Sequence, residues 1–397
     1  MSIYIILLLL TAAAWFIDQK TAKNPNHKKI HISMVIILAL CYITVSSLRY
    51  SIGFDYFSYK DLFEQTANQS FSQMIKLNWK EPAYYFFSWI FSRISNNYQI
   101  WLFVVSAFMT GSVFYIVDKN TESPWISYML YILLHIFGLN MNLLRQSIAA
   151  IVLLWGYKYL VKGDTIKFII VTIIASTFHI TSLVAIPAYF IIKLPFNKKW
   201  CIGTSIVAVI SIFTFKPLLT SFIELTKYSS YLHSSSGVDY FAPGALSMML
   251  MEAAILIVPF IFSYKLYTDD KNNSIVFYTS LITATTILMG ANAFIMERFS
   301  IFFYPYVLIF IPQILSQYKP IDDEIIAKNK NSYEKNSIKN KNIAIKENRN
   351  VIIFAVMVIA VLNFAYGAKC GYHKAYPYVS IFNQEAAVDN NSYLANR

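Results

Sequence analysis

Arg49, Asp55, Glu81, Arg93, Arg145, His179 and Arg298 are the ionisable residues of this chain whose types could share one piece of chemistry. Arginine presents a planar, permanently charged fork that grips phosphate oxygens two at a time, even where water is partly excluded. A histidine can take the proton of a hydroxyl, and a nearby carboxylate can orient its ring. Several arginines with one histidine therefore suit a diphosphate and a transfer reaction at it. Each residue alone reads more blandly. A charge in a loop is mostly solvated, and a lone histidine on an apolar face is more often a hydrogen-bonded packing residue. His31 and His135 fit that packing role, and His233 and His373 fit exposed loops. Topology has to decide whether the seven meet.

Arg145 and Gln146 lie between two apolar runs, Trp125–Leu139 and Ser147–Leu160. An arginine at the bilayer centre costs roughly 2.5–3.5 kcal/mol. The segment therefore reads as a helix boundary at a membrane face, or as an arginine stretching to the headgroups. Hydrophobic residues make up 57% and charged residues 14% of the 397. Apolar runs of spanning length recur throughout, so the chain reads as an all-α polytopic membrane protein. The net charge of +12 would suggest nucleic acid in a soluble protein. Here the lysines concentrate in short loops between runs, as the positive-inside rule requires, and no nucleic-acid partner is expected. Cys41 and Cys201 lie in apolar runs and Cys370 stands alone, which fits neither a disulfide framework nor a zinc site.

Lysine asymmetry then sets the faces. The N-terminal run lacks a preceding positive charge and is followed by Lys20, Lys23, Lys28 and Lys29, so it reads as a retained span with its N-terminus outside. Ile30–Leu48 returns outward into an exoplasmic loop, residues 49–97, within which Ala83–Ile94 suits an interfacial helix. Gln99–Val117 goes in, Trp125–Leu139 out, and Ser147–Leu160 in again, which puts Arg145 outside. Ile166–Ile192 has lysines at both ends, so it reads as a short helical hairpin breaking near Phe178-His179. Each arm is roughly 13 residues, about 20 Å, which leaves His179 recessed below the outer surface. Further crossings are read at Trp200–Phe215, Leu246–Tyr264, Ile275–Phe294, Ser300–Leu315 and Val351–Tyr366. They flank an exoplasmic loop at 216–245, a charged, irregular cytoplasmic loop at 317–350 and an exoplasmic tail at 369–397. The count is about twelve helices in a single transmembrane domain, residues 1–397.

No phosphate-binding P-loop, HExxH, CxxC pair, GxSxG or DxD motif occurs, so nucleotide hydrolysis and zinc catalysis have no foothold. Four stretches instead carry a resemblance: LRYSIGFDYFSY (Leu48–Tyr59), Glu81-Pro82, NMNLLRQSIA (Asn140–Ala149) and STFHITSLVAIPAYF (Ser176–Phe190). Together they resemble the EpsG-like, Wzy-type polysaccharide polymerases over roughly Ser47–Ile192. The elements built on Arg145, Gln146, Ile148 and Ala149, and on Phe178, His179, Thr181, Ser182 and Leu183, are the most specific. Arg298 and Tyr376–Tyr378 match more loosely.

The resemblance implies a multi-pass protein of the bacterial inner membrane that works on the exoplasmic face. It would join polyprenyl-diphosphate-linked oligosaccharide units into O-antigen, capsule or exopolysaccharide, without cofactor or metal. A chain-length regulator and a flippase would be its partners, beside membrane lipid. The expected roles follow: Arg145, Arg49, Arg298 and Gln146 on the diphosphate, and Tyr59 and Glu81 on the glycan. His179 would be the base or a diphosphate partner, with Asp55 as its competitor or its orienting carboxylate. The rival readings are another lipid-diphosphate glycosyltransferase such as a ligase, a flippase of the same glycans, and a membrane O-acyltransferase. A transporter would need polar groups at mid-membrane, whereas here the charges sit at span ends.

Overall fold

The computed structural model describes residues 2–77, 79–224, 245–263, 273–291, 295–316 and 332–386. Among them the chain is helical, with only an isolated bridge between Arg49 and Ser380. The helices are α1 (Ser2–Thr21), α2 (His27–Ser47), α3 (Tyr56–Ala67), α4 (Phe71–Leu77), α5 (Pro82–Ile94), α6 (Tyr98–Asn120), α7 (Pro124–Leu133), α8 (Ile136–Asn142) and α9 (Leu144–Trp155). There follow α10 (Tyr157–Lys162), α11 (Thr165–Ser176), α12 (Ala185–Ile192), α13 (Lys198–Glu224), α14 (Ala245–Ser263), α15 (Asn273–Gly290), α16 (Ile295–Ser300), α17 (Val307–Ser316) and α18 (Ser332–Cys370). Among the described residues six helices are long and apolar enough to cross a membrane, or seven if the bent pair α7–α8 counts as one span. Of four shorter apolar helices, Thr165–Ser176 and Ile180–Ile192 fall in the expected hairpin, and Leu246–Ile257 and Tyr304–Leu315 within expected crossings. The protein is a polytopic, all-helical membrane protein.

Polar groups sort to two ends of the bundle. At one end His31 lies between two carboxylates, with Nδ1 2.9 Å from Asp18 Oδ1 and Nε2 2.8 Å from Asp118 Oδ1. Trp125 Nε1 donates to the second Asp18 oxygen at 2.8 Å. That cluster ties α1, α2, α6 and the start of α7. His31 is thus a packing residue, one held by charge. Between the ends the core is aromatic. Phe114 stacks on Tyr128 at 4.1 Å, and Tyr42 packs edge-on against Phe114 and Phe137. Tyr306 donates to Leu153 O and Ser127 to Leu308 O, both at 2.6 Å, which seats α17 between α7 and α9.

Three expected spans are broken, two of them toward the other end. The run Trp125–Leu139 is not one helix: α7 and α8 meet at 54°. His135 sits at that corner with φ 58°, its ring held by Tyr376 OH at 2.8 Å and Asn363 O at 3.1 Å. Ser147–Leu160 is likewise divided, at Gly156, between α9 and α10. The hairpin does break where the lysines suggested, between Ser176 and Ile180. Its arms are joined by Thr165 Oγ1 and Tyr189 OH at 2.7 Å and by Phe168 stacked on Tyr189. Elsewhere helix extends into expected loops. Residues 216–224 belong to α13 and residues 332–350 to α18, while 225–244 and 317–331 lie outside the described residues.

The segment after α18 folds back instead of trailing as a tail. Tyr50 N–H donates to Val379 O at 3.0 Å, Ile381 N–H to Leu48 O at 2.9 Å, and Gly53 N–H to Lys374 O at 3.1 Å. Gly53 has φ +89°, and a Cβ there would lie 2.8 Å from Asn142 Cα and 2.9 Å from its Oδ1. Only glycine takes that conformation without strain. Gly53→Ala should therefore lower stability in detergent by at least about 1 kcal/mol. Gly111→Ala, whose Cβ meets nothing within 4 Å, should be neutral or slightly stabilising. Thermal unfolding of both variants checks this, and equal shifts would be incompatible with the packing described.

Candidate functional site

Glu81 is the centre of the charged cluster at this end. It directly precedes Pro82, which starts α5 as prolines at the first helical position commonly do. Its Oε1 lies 2.6 Å from His179 Nδ1, and its Oε2 accepts from Arg145 Nη1. Ala83 N–H donates to Thr177 O at 3.0 Å, which locks the start of α5 to the hairpin break and presents His179 to Glu81. Arg145 comes from the first turn of α9 and lies over the rings of Tyr59 and Tyr84, at 5.8 and 5.9 Å. Such contacts hold a guanidinium flat and in place. Burial pushes the Glu81 carboxyl up, but the His179 hydrogen bond and the Arg145 charge outweigh it and hold the group below its ordinary 4.5. Arg145 Nε is buried without a hydrogen-bond partner. Among the described residues His179 Nε2 has none either, and its ring lies 6.3 Å from that of Phe302.

A second carboxylate–histidine pair stands beside the first. Glu297, in α16, faces His373 Nε2 at 3.5 Å and accepts from Tyr372 OH. Burial raises its carboxyl, but His373, Tyr372 and Arg298 together hold it below its ordinary value. Asn142 bridges this pair to the loop before α3. Its Nδ2 donates to His373 Nδ1 at 2.8 Å, and its Oδ1 accepts from Asp55 N–H at 3.3 Å. His373 Nδ1 is therefore an acceptor, and its Nε2 carries the proton toward Glu297. The segment Asn142–Gln146 thus reaches His373, Glu81 and, through a Gln146 Nε2 bond to Arg298 O, the turn of α16.

The EpsG family model matches residues 32–329, which take in both Glu81 and Glu297. The chain belongs to the EpsG family. No curated protein and no solved structure matches it. Membership indicates a polysaccharide-polymerase-type role, in a multi-pass membrane setting that the apolar helices support. Among the described residues no three His, Cys, Asp or Glu side chains converge to hold a metal ion.

In this EpsG-family chain Arg145, Glu81, His179 and Tyr59 come together, and the other expected residues are placed differently. Arg49 is fully buried, with Nη1 on Ser46 O and Tyr98, Tyr56, Tyr378 and Tyr4 as its electrostatic surroundings. It offers no exposed face to a diphosphate in this arrangement, because its guanidinium anchors the end of α2. Asp55 meets the site through its backbone N–H. Among the described residues its carboxylate bonds neither His179 nor Arg145, and Glu81 does the orienting. Gln146 holds the Arg298 backbone, which leaves the Arg298 side chain exposed at the α16 turn. Arg93 stacks on Trp89 at 5.0 Å and donates to Ala67 O, apart from the cluster. His373 is the residue the sequence reading placed wrongly. Its side chain is only 11% exposed, and no local motif pairs it with Glu297, 76 positions away in sequence.

Glu81→Gln should keep the shape of the cluster and remove the charge that binds both partners. It should lower stability by about 1–3 kcal/mol, the cost of an unsatisfied buried polar group. A carboxylate with a lowered folded pKa contributes stability above its unfolded value and loses it as pH falls through the folded one. The gap between wild type and Glu81→Gln in thermal unfolding should thus be full above pH 4.5 and narrow below it. A gap that persisted unchanged into acid would remove the charge from the account.

Proposed function

We propose that the chain is a glycosyltransferase that joins polyprenyl-diphosphate-linked oligosaccharide units into a surface polysaccharide at the exoplasmic face of the bacterial inner membrane. The observation that carries this reading is Glu81, whose two oxygens separately hold Arg145 and His179. That arrangement sets a fixed cation beside a fixed proton acceptor. The family assignment supplies the reaction class.

In the reaction, the acceptor hydroxyl oxygen bonds to the anomeric carbon of the donor sugar. The bond from that carbon to the diphosphate breaks, and its electron pair leaves with the lipid diphosphate. The hydroxyl proton passes to His179 Nε2, because Glu81 holds the Nδ1 proton on the other side of the ring. Arg145 compensates the charge on the departing oxygens through Nε and its remaining guanidinium edge. Arg298, on the α16 turn that Gln146 holds, is the second cation. Preorganised cations in a partly dry site are usually the largest catalytic contribution, and a general base adds about 10²–10⁴-fold. Tyr59 serves by fixing Arg145, and Glu81 by orienting both groups, in place of the glycan contacts expected for them.

Cells lacking the protein should retain single lipid-linked units on the outer leaflet and lose long chains on a glycan ladder. Units stranded on the cytoplasmic leaflet would instead make the protein a flippase. At wild-type expression, Arg145→Lys keeps the charge but loses the fork and should be severely impaired. His179→Ala should slow transfer roughly 10²–10⁴-fold while the donor still binds. Normal chain length in both variants would return both residues to structural roles.

A further inference from the structure

A cavity of about 210 Å³ with wholly apolar walls lies between α5, α6, α9 and the hairpin break. Tyr84, Phe91, Val104, Phe108, Ile148 and Phe178 are among its lining residues. Three of these are immediate neighbours of the charged cluster. Tyr84 is the ring beneath the Arg145 guanidinium and follows Glu81 by three residues. Ile148 follows Arg145 by three on α9, so the two share a helix face. Phe178 directly precedes His179 and stacks on Phe87 with centroids 5.9 Å apart. Through Tyr84 the cavity therefore adjoins a cation whose buried Nε has no hydrogen-bond partner.

From this juxtaposition we infer that the cavity holds the isoprene units of the donor lipid nearest its diphosphate, with the diphosphate on Arg145. The inference rests on the proposed lipid-diphosphate reaction and deepens it. An apolar void of about 150 Å³ takes up a benzene ring and excludes water, so about 210 Å³ has room for roughly one to two five-carbon units. The branched chain would meet aromatic faces on α5 and α6 while its charged end reaches the arginine. A ligand with one anionic end and one apolar chain fits both halves at once, which neither a free sugar nor a free diphosphate does. Seating the first isoprene units also fixes where the scissile bond falls. The anomeric carbon lies beyond the diphosphate, on the side away from the cavity and toward the hydroxyl that His179 would deprotonate.

The test uses the purified full chain in lipid nanodiscs and a photoreactive farnesyl diphosphate. Label should map to peptides containing Phe91 or Phe108 and be displaced by unlabelled long-chain polyprenyl diphosphate. Val104→Trp, and independently Phe108→Trp, should cut labelling at least tenfold, while Ile36→Trp on the exposed face of α2 leaves it unchanged. Arg145→Met should cut it as well, since the cation holds the other end. Unchanged labelling in either folded cavity variant would overturn the inference. So would label that a photoreactive phosphatidylglycerol displaces as well as polyprenyl diphosphate does, since the cavity would then hold any acyl chain. Labelling needs no turnover, which separates the two ideas. Cavity-dependent label from a protein whose deletion leaves chain length normal would sink the polymerase and keep the lipid site. Polymerisation with cavity-independent label would do the reverse.

Discussion

One carboxylate shared between a guanidinium and an imidazole sets the terms for the rest of the site. A group such as Glu81, largely withdrawn from water, is tolerable only while both oxygens have partners, since an uncompensated charge there is far costlier than the same charge in a loop. Glu81 stands at the start of α5, and its two partners come from the start of α9 and from the break between α11 and α12. All three are therefore bound to one another through a single side chain. That explains why α5 begins at a proline fixed against the hairpin, and why Arg145 stands over two aromatic rings at a helix start.

The broken helices serve the same end. A straight span through Trp125–Leu139 would carry Asn142 and Arg145 past the cluster. The corner at His135 turns α8 so that Asn142, Arg145 and Gln146 address three neighbours within one short stretch. Irregular backbone at this depth is sustainable only where its polar groups find partners inside the protein. Ile132 O and Leu139 N–H supply them for the His135 backbone, while Tyr376 and Asn363 hold its ring. At the opposite end His31 bridges Asp18 and Asp118, with Trp125 donating to Asp18, and the cluster holds the helix ends together.

Much of this was legible in the sequence because the bilayer constrains it so strongly. Apolar runs of spanning length, lysines in short loops and the double-lysine boundaries of Ile166–Ile192 led to a membrane protein with a short hairpin and a recessed His179. The stretches around Arg145 and His179 led to the family. The parts that were not legible depend on side chains meeting across long separations. Arg49 carries the same charge as Arg145, yet one is sealed among tyrosines and the other opens on the cluster. Residue type cannot distinguish them. Asp55 was expected to orient the histidine or compete with it, and Glu81 to meet the glycan, whereas Asp55 contributes its backbone N–H and Glu81 holds the ring. His373 looked like a loop residue because nothing near it in sequence announces Glu297, and the helix breaks at His135 and Gly156 lie inside runs whose hydropathy is continuous.

The return of the segment after α18 has a consequence for how the protein is made. Lys374 supplies the carbonyl that Gly53 needs, His373 the ring that Asn142 contacts, and Val379 and Ser380 the partners of Tyr50 and Arg49. These groups leave the ribosome after every preceding helix has been delivered to the insertion machinery. Helices already in the bilayer must wait for them, with the loop before α3 lacking its counterpart until translation reaches residues 374–381. A chain released early would hold Glu81, Arg145 and His179 and still lack the wall on their far side. The wall of this site is thus complete only once residues 371–381 have been made, long after the three residues it encloses.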